Sequence, residues 1–431
     1  MLGWAHVAAH RSYPKDLAAR VRTSWPEDGL ALPAGLERIL DTVYHASFLR
    51  DEERPVTFRV LCIDPAELPT DEGPPTGLQP LAFASLRAFD EHELRRLSPA
   101  AKYHRALIGI CEHGESVETW GIVQSGPRWL QSAHGGRAAE AQMPPCLVVR
   151  AIRPGHLAVS CGLRAVAELR GGKLTDFTMD VFQSTWLPAI FQAERVIDAG
   201  GIESTLIETF GRTHVAGEIR SNLEEAVALT RYVAQQMLKR LIAVMRGSHH
   251  GGTLVVLPSD CVATRFLASK YPIADGEPRR RFRRLTLAIV KAVERQKSTG
   301  IAPLAVYRSV SNDEISELDD ALFELSNLIG SLAEVDGCVV LTKRFEILGF
   351  GSEIVGHLPS VATVRRALDL EADTTCTENA DGVGTRHRSA YRLCAAIPGA
   401  LAVVVSQDGN VRFATLRADA VTYWDHAAGD E

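Results

Sequence analysis

The chain has 431 residues, room for two or three domains with cores of their own at about 100–200 residues per domain. Hydrophobic residues make up 46% and charged residues 23%, a globular balance that excludes collagen-like, disordered and membrane-embedded classes. A net charge of −6, from 47 Lys and Arg against 53 Asp and Glu, argues against non-specific nucleic-acid coating, which runs on phosphate neutralisation, so any anion site must be local.

From Val56 to about Arg170 the chain reads as short β-rich segments broken by Gly and Pro: VTFRVLCI, RALIGIC, VETWGIVQS, CLVVRAI and HLAVS. Met179 to Ala199 is more helical in composition, with Pro188 expected to kink or split it. Ser221 and Glu224 have the capping-box form S-x-x-E, and Leu223, Val227, Thr230, Ala234, Met237, Leu241 and Val244 follow as one apolar stripe. A long helix from Ser221 to Gly247 is therefore expected, and the apolar run GGTLVVLP after it suits a fully buried strand. LTLAIVKAVERQK is helix-like, a second capping box at Ser311 and Glu314 starts another helix, and DGCVVLTKRFEILGFGSEI reads as strand, turn and strand. The expected architecture is α/β: a β-rich domain over residues 1–220, then residues 221–431 as a domain with a central mixed sheet flanked by helices.

The eight cysteines form no CxxC pair and have no histidine at zinc-finger spacing, so they read as reduced and mostly buried thiols. The N-terminus lacks a positive start followed by a long apolar stretch. The most apolar runs, TLVVLP and ALAVVVS, are too short to cross a bilayer. A cytoplasmic protein without membrane partners is expected.

Several nucleotide and hydrolase signatures are missing: there is no GxxxxGK[ST], HExxH or GxSxG, and GFGSEI from Gly349 carries Ile354 where GxGxxG needs its third glycine. GTRHRSA, Gly384 to Ala390, packs two guanidiniums, an imidazole and two hydroxyls behind a glycine. That composition suits phosphate, since arginine binds phosphate oxygens bidentately, although a solvated basic turn has the same composition. RRRFRR at Arg279–Arg284 reads as a solvated arginine face or a polyphosphate contact rather than a nucleic-acid reader. His249 and His250 are adjacent in an extended run and would point to opposite faces, so they are not expected to share an ion.

Four pieces fall in one order: GGTLVVLP (Gly251–Pro258), DGC (Asp336–Cys338), GTRHRSA and VVVSQDGN (Val403–Asn410). This order resembles the diadenylate cyclase domain, in particular that of the DisA-type checkpoint proteins, over roughly Ser221 to Thr422, and the segment before it resembles the sensor domains that precede some bacterial cyclases. Cys338 stands where the family has the alanine of DGA, and Gln407–Asp408 is nearer to the DisA-type pair than to a double glutamate. About ten residues follow Thr422, so the separate DNA-binding domain of DisA-type proteins is not expected.

The resemblance implies condensation of two ATP molecules into cyclic di-AMP and pyrophosphate by a homo-oligomer whose cyclase domains face each other. It implies Asp336 as the ligand of Mg²⁺ or Mn²⁺, Arg386 and Arg388 as phosphate holders, Thr385 and Ser406 as hydroxyl donors, and His387 as an orienting group or a donor when protonated. Gly337, Cys338, Gly384, Ser389 and Gln407 are the further nucleotide-contacting positions, with Gly351 and Ile354 lining the adenine slot. The N-terminal domain would bind an unidentified ligand and regulate the cyclase. Two other readings remain at this stage: a catalytically silent nucleotide or cyclic-dinucleotide sensor, and a β-rich scaffold. Segments Lys270–Val310 and His357–Asp381 look inserted relative to the family and would lid or regulate the site.

Overall fold

A computed structural model describes residues 11–68, 73–74, 77–114, 116–126, 134–137, 143–176, 179–191, 216–248, 250–259, 261, 265–296, 301–309, 313–407 and 409–426, without side-chain detail at 175–176 and 216–223. Two compact units emerge: one of Met1–Ala133, Glu140–Thr178 and Gly429–Glu431, the other of His134–Ala139 and Met179–Ala428.

The first unit begins with α1 (Pro14–Ser24) and α2 (Leu36–Ala46). Pro14 sits in the first turn of α1, where its missing N–H costs nothing, and the Asp16 carboxylate accepts from Tyr13 N–H at 2.7 Å. The α2 start is held from outside: Glu112 accepts from the Ala34 and Gly35 amides at 2.9 and 2.5 Å. A short pair, β1 (Arg50–Asp51) and β2 (Arg54–Pro55), precedes β3 (Phe58–Cys62), β4 (Gln79–Ala88), α3 (Glu91–Leu97), β5 (Ala106–His113) and β6 (Ser116–Gln124). Then come β7 (Leu147–Arg153), β8 (His156–Cys161), β9 (Arg164–Arg170) and β10 (Lys173–Asp176). The sheet order is β10-β9-β8-β7-β3-β5-β6-β4, with β3 and β5 parallel and the other pairs antiparallel. Leu17, Val21, Ile39 and Val43 of the two helices pack on Val60, Ile108, Val149 and Val159, while Leu61, Leu107, Trp120 and Val148 form a separate cluster. Such two-sided burial gives β3, β5, β7 and β8 their nearly continuous apolar runs, whereas β4 is largely exposed.

The second unit carries α4 (Trp186–Ile190), α5 (Ala216–Gly247), β11 (Gly252–Leu257), β12 (Leu267–Pro272), α6 (Arg281–Gln296), α7 (Pro303–Arg308) and α8 (Asp313–Leu332). It continues with β13 (Cys338–Thr342), β14 (Ile347–Ile354), β15 (Thr363–Ala367), β16 (Thr375–Asn379), α9 (Thr385–Ala396), β17 (Leu401–Val405), β18 (Val411–Arg417) and β19 (Ala420–His426). The sheet order is β12-β14-β13-β11-β17-β18-β19-β15-β16. It is mixed: β11–β13 and β15–β19 run parallel, the other neighbours antiparallel. Alternation within single strands divides the core. Leu254, Val256, Val403 and Val405 join a cluster with Met237, Leu241, Ile289 and Leu322 of α5, α6 and α8, whereas Val255 and Leu257 join Leu393 of α9 and Ile397 just after it, and Ala402 and Val404 join Tyr391 and Cys394 of α9. The expected α/β organisation, β-rich first and a helix-flanked mixed sheet second, is what the chain adopts.

Two local expectations change. The long helix starts at Ala216, so Ser221 lies inside it and is not its cap; S-x-x-E spacing also occurs within helices and carries no stop signal for the turn before it. Ser311 lies outside the described residues, and α8 starts at Asp313 with Glu314 in its first turn. Pro188 is tolerated in α4 because it falls in the first turn, where no carbonyl awaits its N–H. The arginines of Arg279–Arg284 are partly neutralised: Arg280 meets Asp275 at 2.7 Å, Arg284 meets Glu277 at 2.9 Å and Arg279 lies 4.0 Å from Glu346. All eight cysteines are free thiols, five of them buried. Among the described residues no helix is long and apolar enough to cross a membrane.

Candidate functional site

Register alone brings three of the four motifs to one edge of the second sheet. Leu254 pairs with Val339 in parallel, Gly252 faces Val405, and Cys338 faces Ser352, so the starts of β11 and β13 and the ends of β14 and β17 lie together. Gly251, Asp336–Cys338, Gly351–Ile354 and Ser406–Gln407 are thus neighbours along that edge.

Two glycines are required there. Gly251 has φ +66, and a Cβ on it would sit 2.9 Å from Gln407 N and Val405 O and 3.0 Å from Arg386 Nη1. The fourth motif is joined by this contact: α9 starts at Thr385 behind the N-cap Gly384, and its second residue, Arg386, lays its guanidinium against Gly251. Gly337 has φ +114, and a Cβ would lie 2.7 Å from Gly351 C and 2.8 Å from Ser352 N and O. Both backbones approach too closely for any side chain.

Asp336 is exposed in the bend just before β13, while Cys338 is buried and its thiol is pushed up to about 12 by burial, which makes it a small neutral filler. Among the described residues no three His, Cys, Asp or Glu side chains gather to hold a metal, and Asp336 is the carboxylate of the DGC motif at this edge. Magnesium sites of this kind use one or two carboxylates and take their remaining ligands from substrate phosphates and water. The residues present fit a cation completed by a polyphosphate.

Thr385, Arg386 and Arg388 are exposed, and Ser389 is half-buried. Arg388 follows Arg386 by two positions, about 200° round the helix, so the two guanidiniums leave α9 on different sides, and it is Arg386 that lies against Gly251. Ser406 is part of the β17–β18 turn: its Oγ accepts from Asn410 N–H at 3.1 Å and its carbonyl from Gly409 N–H at 2.9 Å. A hydroxyl that accepts one hydrogen bond can still donate its own proton. Gln407 is exposed, and Asp408 lies outside the described residues. Gly349 and Gly351 are explained by β12: a Cβ at Gly349 would meet Ser269 Oγ at 2.8 Å, and one at Gly351 would meet the Tyr271 ring at 3.3 Å. The close approach of β12 therefore fills the room that the absent side chains leave, and half-buried Ile354 pairs with Leu267 of the same strand.

Sequence reasoning missed the group beside His387. Arg412 donates to Asp425 at 2.8 Å and to Tyr391 Oη at 2.9 Å, its guanidinium lies 4.0 Å from the centre of the Tyr423 ring, and Tyr423 Oη donates to Glu378 at 2.5 Å. The signal was register: Arg412 and Asp425 are directly paired across a hairpin whose turn residues, Ala418 and Asp419, both have positive φ. The His387 ring lies 6.4 Å from Tyr391. Burial first, then Arg412 and Arg386, push the His387 imidazole down from 6.5 to about 4 against the pull of Asp425. With no phosphate beside it, His387 is consequently neutral near pH 7.

His426 is pushed down from 6.5 to about 4 as well, chiefly by burial and against Asp180, and its Nδ1 accepts from Val181 N–H at 3.2 Å. Both rings titrate lower folded than unfolded, so the unfolded chain takes up more protons as the pH falls below 6.5. The stability of the second unit is expected to be full above about pH 6.5 and to fall toward pH 4, with the slope reduced in His387→Gln. A Tm that stays level across that window contradicts the buried, neutral imidazoles.

Residues 27–124, within the first unit, match the family described as "Probable sensor domain DACNV", a sensor domain that stands N-terminal in diadenylate cyclases. No curated protein matches the chain. Among solved structures, a hypothetical membrane spanning protein from Bacillus cereus is matched at 16% identity over 55% of this chain and 94% of that one, with a TM-score of 0.23.

Proposed function

We propose that the second unit is a diadenylate cyclase domain, which joins two ATP molecules into cyclic di-AMP and pyrophosphate, and that the first unit is its sensor. The observation that carries this reading is the meeting of Gly251, Asp336–Gly337, Ser406–Gln407 and Arg386 at one sheet edge. The match of residues 27–124 to a sensor domain supports the setting.

In the reaction each ATP offers its 3′-hydroxyl to the α-phosphorus of the other. A new O3′–P bond forms, the bond to the bridging β-phosphate oxygen breaks, and pyrophosphate leaves in line. Such transfers depend on positioning and charge neutralisation. Arg386, with the first amides of α9, grips the triphosphate, Thr385 and Ser406 donate hydroxyls to it, and Arg388 holds phosphate from another side of the helix. Gly337, Cys338, Gly384, Ser389 and Gln407 let the backbone come close, and neutral His387 keeps the first turn oriented against Tyr391. Asp336 would hold Mg²⁺ or Mn²⁺, which when bound neutralises phosphate charge and acidifies the attacking hydroxyl. Since one domain handles one ATP, two domains must face each other in a cytoplasmic homo-oligomer, and product per subunit should rise with protein concentration.

Equilibrium titration with ATP tests the grip. Arg386→Ala should weaken binding by about 1.5–3 kcal/mol, the value of a charge-assisted contact, while leaving the fold intact because the side chain is exposed. Unchanged affinity in both Arg386→Ala and Arg388→Ala contradicts the proposal.

A further inference from the structure

Residues His134–Ala139 belong to the second compact unit, whereas the chain on either side, up to Ala133 and from Glu140 to Thr178, belongs to the first. What this excursion touches is specific. Gly135 has φ +94, and a Cβ on it would fall 2.3 Å from Gln236 O and 3.0 Å from Arg240 N, so its backbone lies directly on α5. Its carbonyl accepts from Arg240 Nε at 2.6 Å, and Arg137 Nη2 donates to Ser316 Oγ on α8 at 2.9 Å.

Arg240 is the centre of the arrangement. It is 1% exposed, donates from Nη2 to Asp319 Oδ1 on α8 at 2.6 Å and lies 3.9 Å from the centre of the Phe323 ring, while Tyr307 of α7 donates to the same Asp319 oxygen at 2.6 Å. One buried guanidinium thereby ties α5, α8 and the Gly135 carbonyl together, and losing a partner would leave a buried charge poorly compensated.

The two helices held in this way lead straight into the site. α5 ends at Gly247, four residues before Gly251, and Arg246 Nε donates to Gly409 O in the turn after Gln407 at 3.0 Å. α8 ends at Leu332, four residues before Asp336. A Cβ on Gly252 would meet Ala333 O at 2.9 Å and Met245 Cε at 3.0 Å, so the ends of both helices rest on the start of β11.

We propose that residues 134–137 are a strap, carried by the chain of the sensor unit, that fixes α5 against α8 and so sets the spacing of Gly251 and Asp336; a ligand event in the first unit reaches the site by loosening or tightening it. This takes the cyclase-like edge as the site under control and adds the route of control. A ligand shifts that equilibrium only through its different affinity for the two strap states.

Hydrogen exchange of the full-length protein tests the strap without reference to catalysis. Gly135→Ala, which cannot keep its backbone on α5, should speed amide exchange about tenfold or more around Gln236–Arg240 and Ser316–Asp319, and also at Gly251–Gly252 and Asp336–Cys338, while β7 and β8 are unchanged. Arg137→Ala, which removes a partly buried contact and no backbone fit, should reproduce the change at Ser316 alone, and it serves if Gly135→Ala does not fold. Faster exchange confined to residues 134–137 in both variants overturns the proposal. A helix response in a protein that never converts ATP retains the strap and removes the cyclase.

Discussion

Asp336→Asn is expected to lower product formation by more than about 10²-fold while ATP still binds, because the change removes a charge and cation affinity but almost no volume. Asp336 is exposed, in a bend before β13, so the fold has no need of it, and stability should stay within about 0.5 kcal/mol of the parent. It nonetheless lies next to Gly337, whose φ of +114 fixes the direction in which the chain enters the strand. The proposed cation-holding role rests on that exposed carboxylate beside a conformationally fixed glycine. Product release measured at saturating ATP and Mn²⁺, alongside ATP affinity, separates the two effects. Parent-like turnover in the variant removes Asp336 from the chemistry, and lost ATP binding with intact folding makes it a binding residue instead.

Gly337→Ala should be among the most damaging single methyls in the second unit. The new Cβ would lie 2.7 Å from Gly351 C and 2.8 Å from Ser352 N and O, all backbone atoms that cannot rotate away, and the residue would have to hold a left-handed φ. Together these should cost about 3 kcal/mol or more, a fall in Tm of about 6–12 °C for a unit of this size. The damage is local in origin: the Cys338–Ser352 pairing must open, which carries Asp336 away from Gly251. Gly382→Ala is the control, since nothing lies within 4 Å of a Cβ there and no left-handed φ is required. Equal melting temperatures for the two alanine variants would mean that the close approach of β13 and β14 is softer than described.

Much of the second unit was legible because its central strands are buried on both faces. GTLVVL and LAVVV are apolar apart from Thr253, which is itself buried, and such runs identify central strands directly. The stripe on α5 was equally plain, although its start was not. What stayed hidden has a common cause: exposed or locally polar elements leave no apolar period. β15 (TVRRA) and β16 (TCTEN) are largely exposed and carry no apolar alternation, and α1 draws its start from Pro14 and Asp16 rather than from hydrophobicity. In the site, the order of the four motifs was visible and their meeting at one edge was not, because it depends on the pairing of β11 with both β13 and β17. The neutral state of His387 depends on Arg412 and Asp425, which pair across a hairpin distant in sequence. Cross-strand neighbours of that kind are invisible until register is known.

Mass spectrometry of the nucleotide recovered after incubation with ATP and Mn²⁺ reads directly what the sheet edge does to ATP. A cyclic dinucleotide of two adenylates, with pyrophosphate released and with no product from Asp336→Asn, is the predicted result. Unreacted ATP that stays bound would make the second unit a nucleotide sensor, and neither bound ATP nor product would contradict the account.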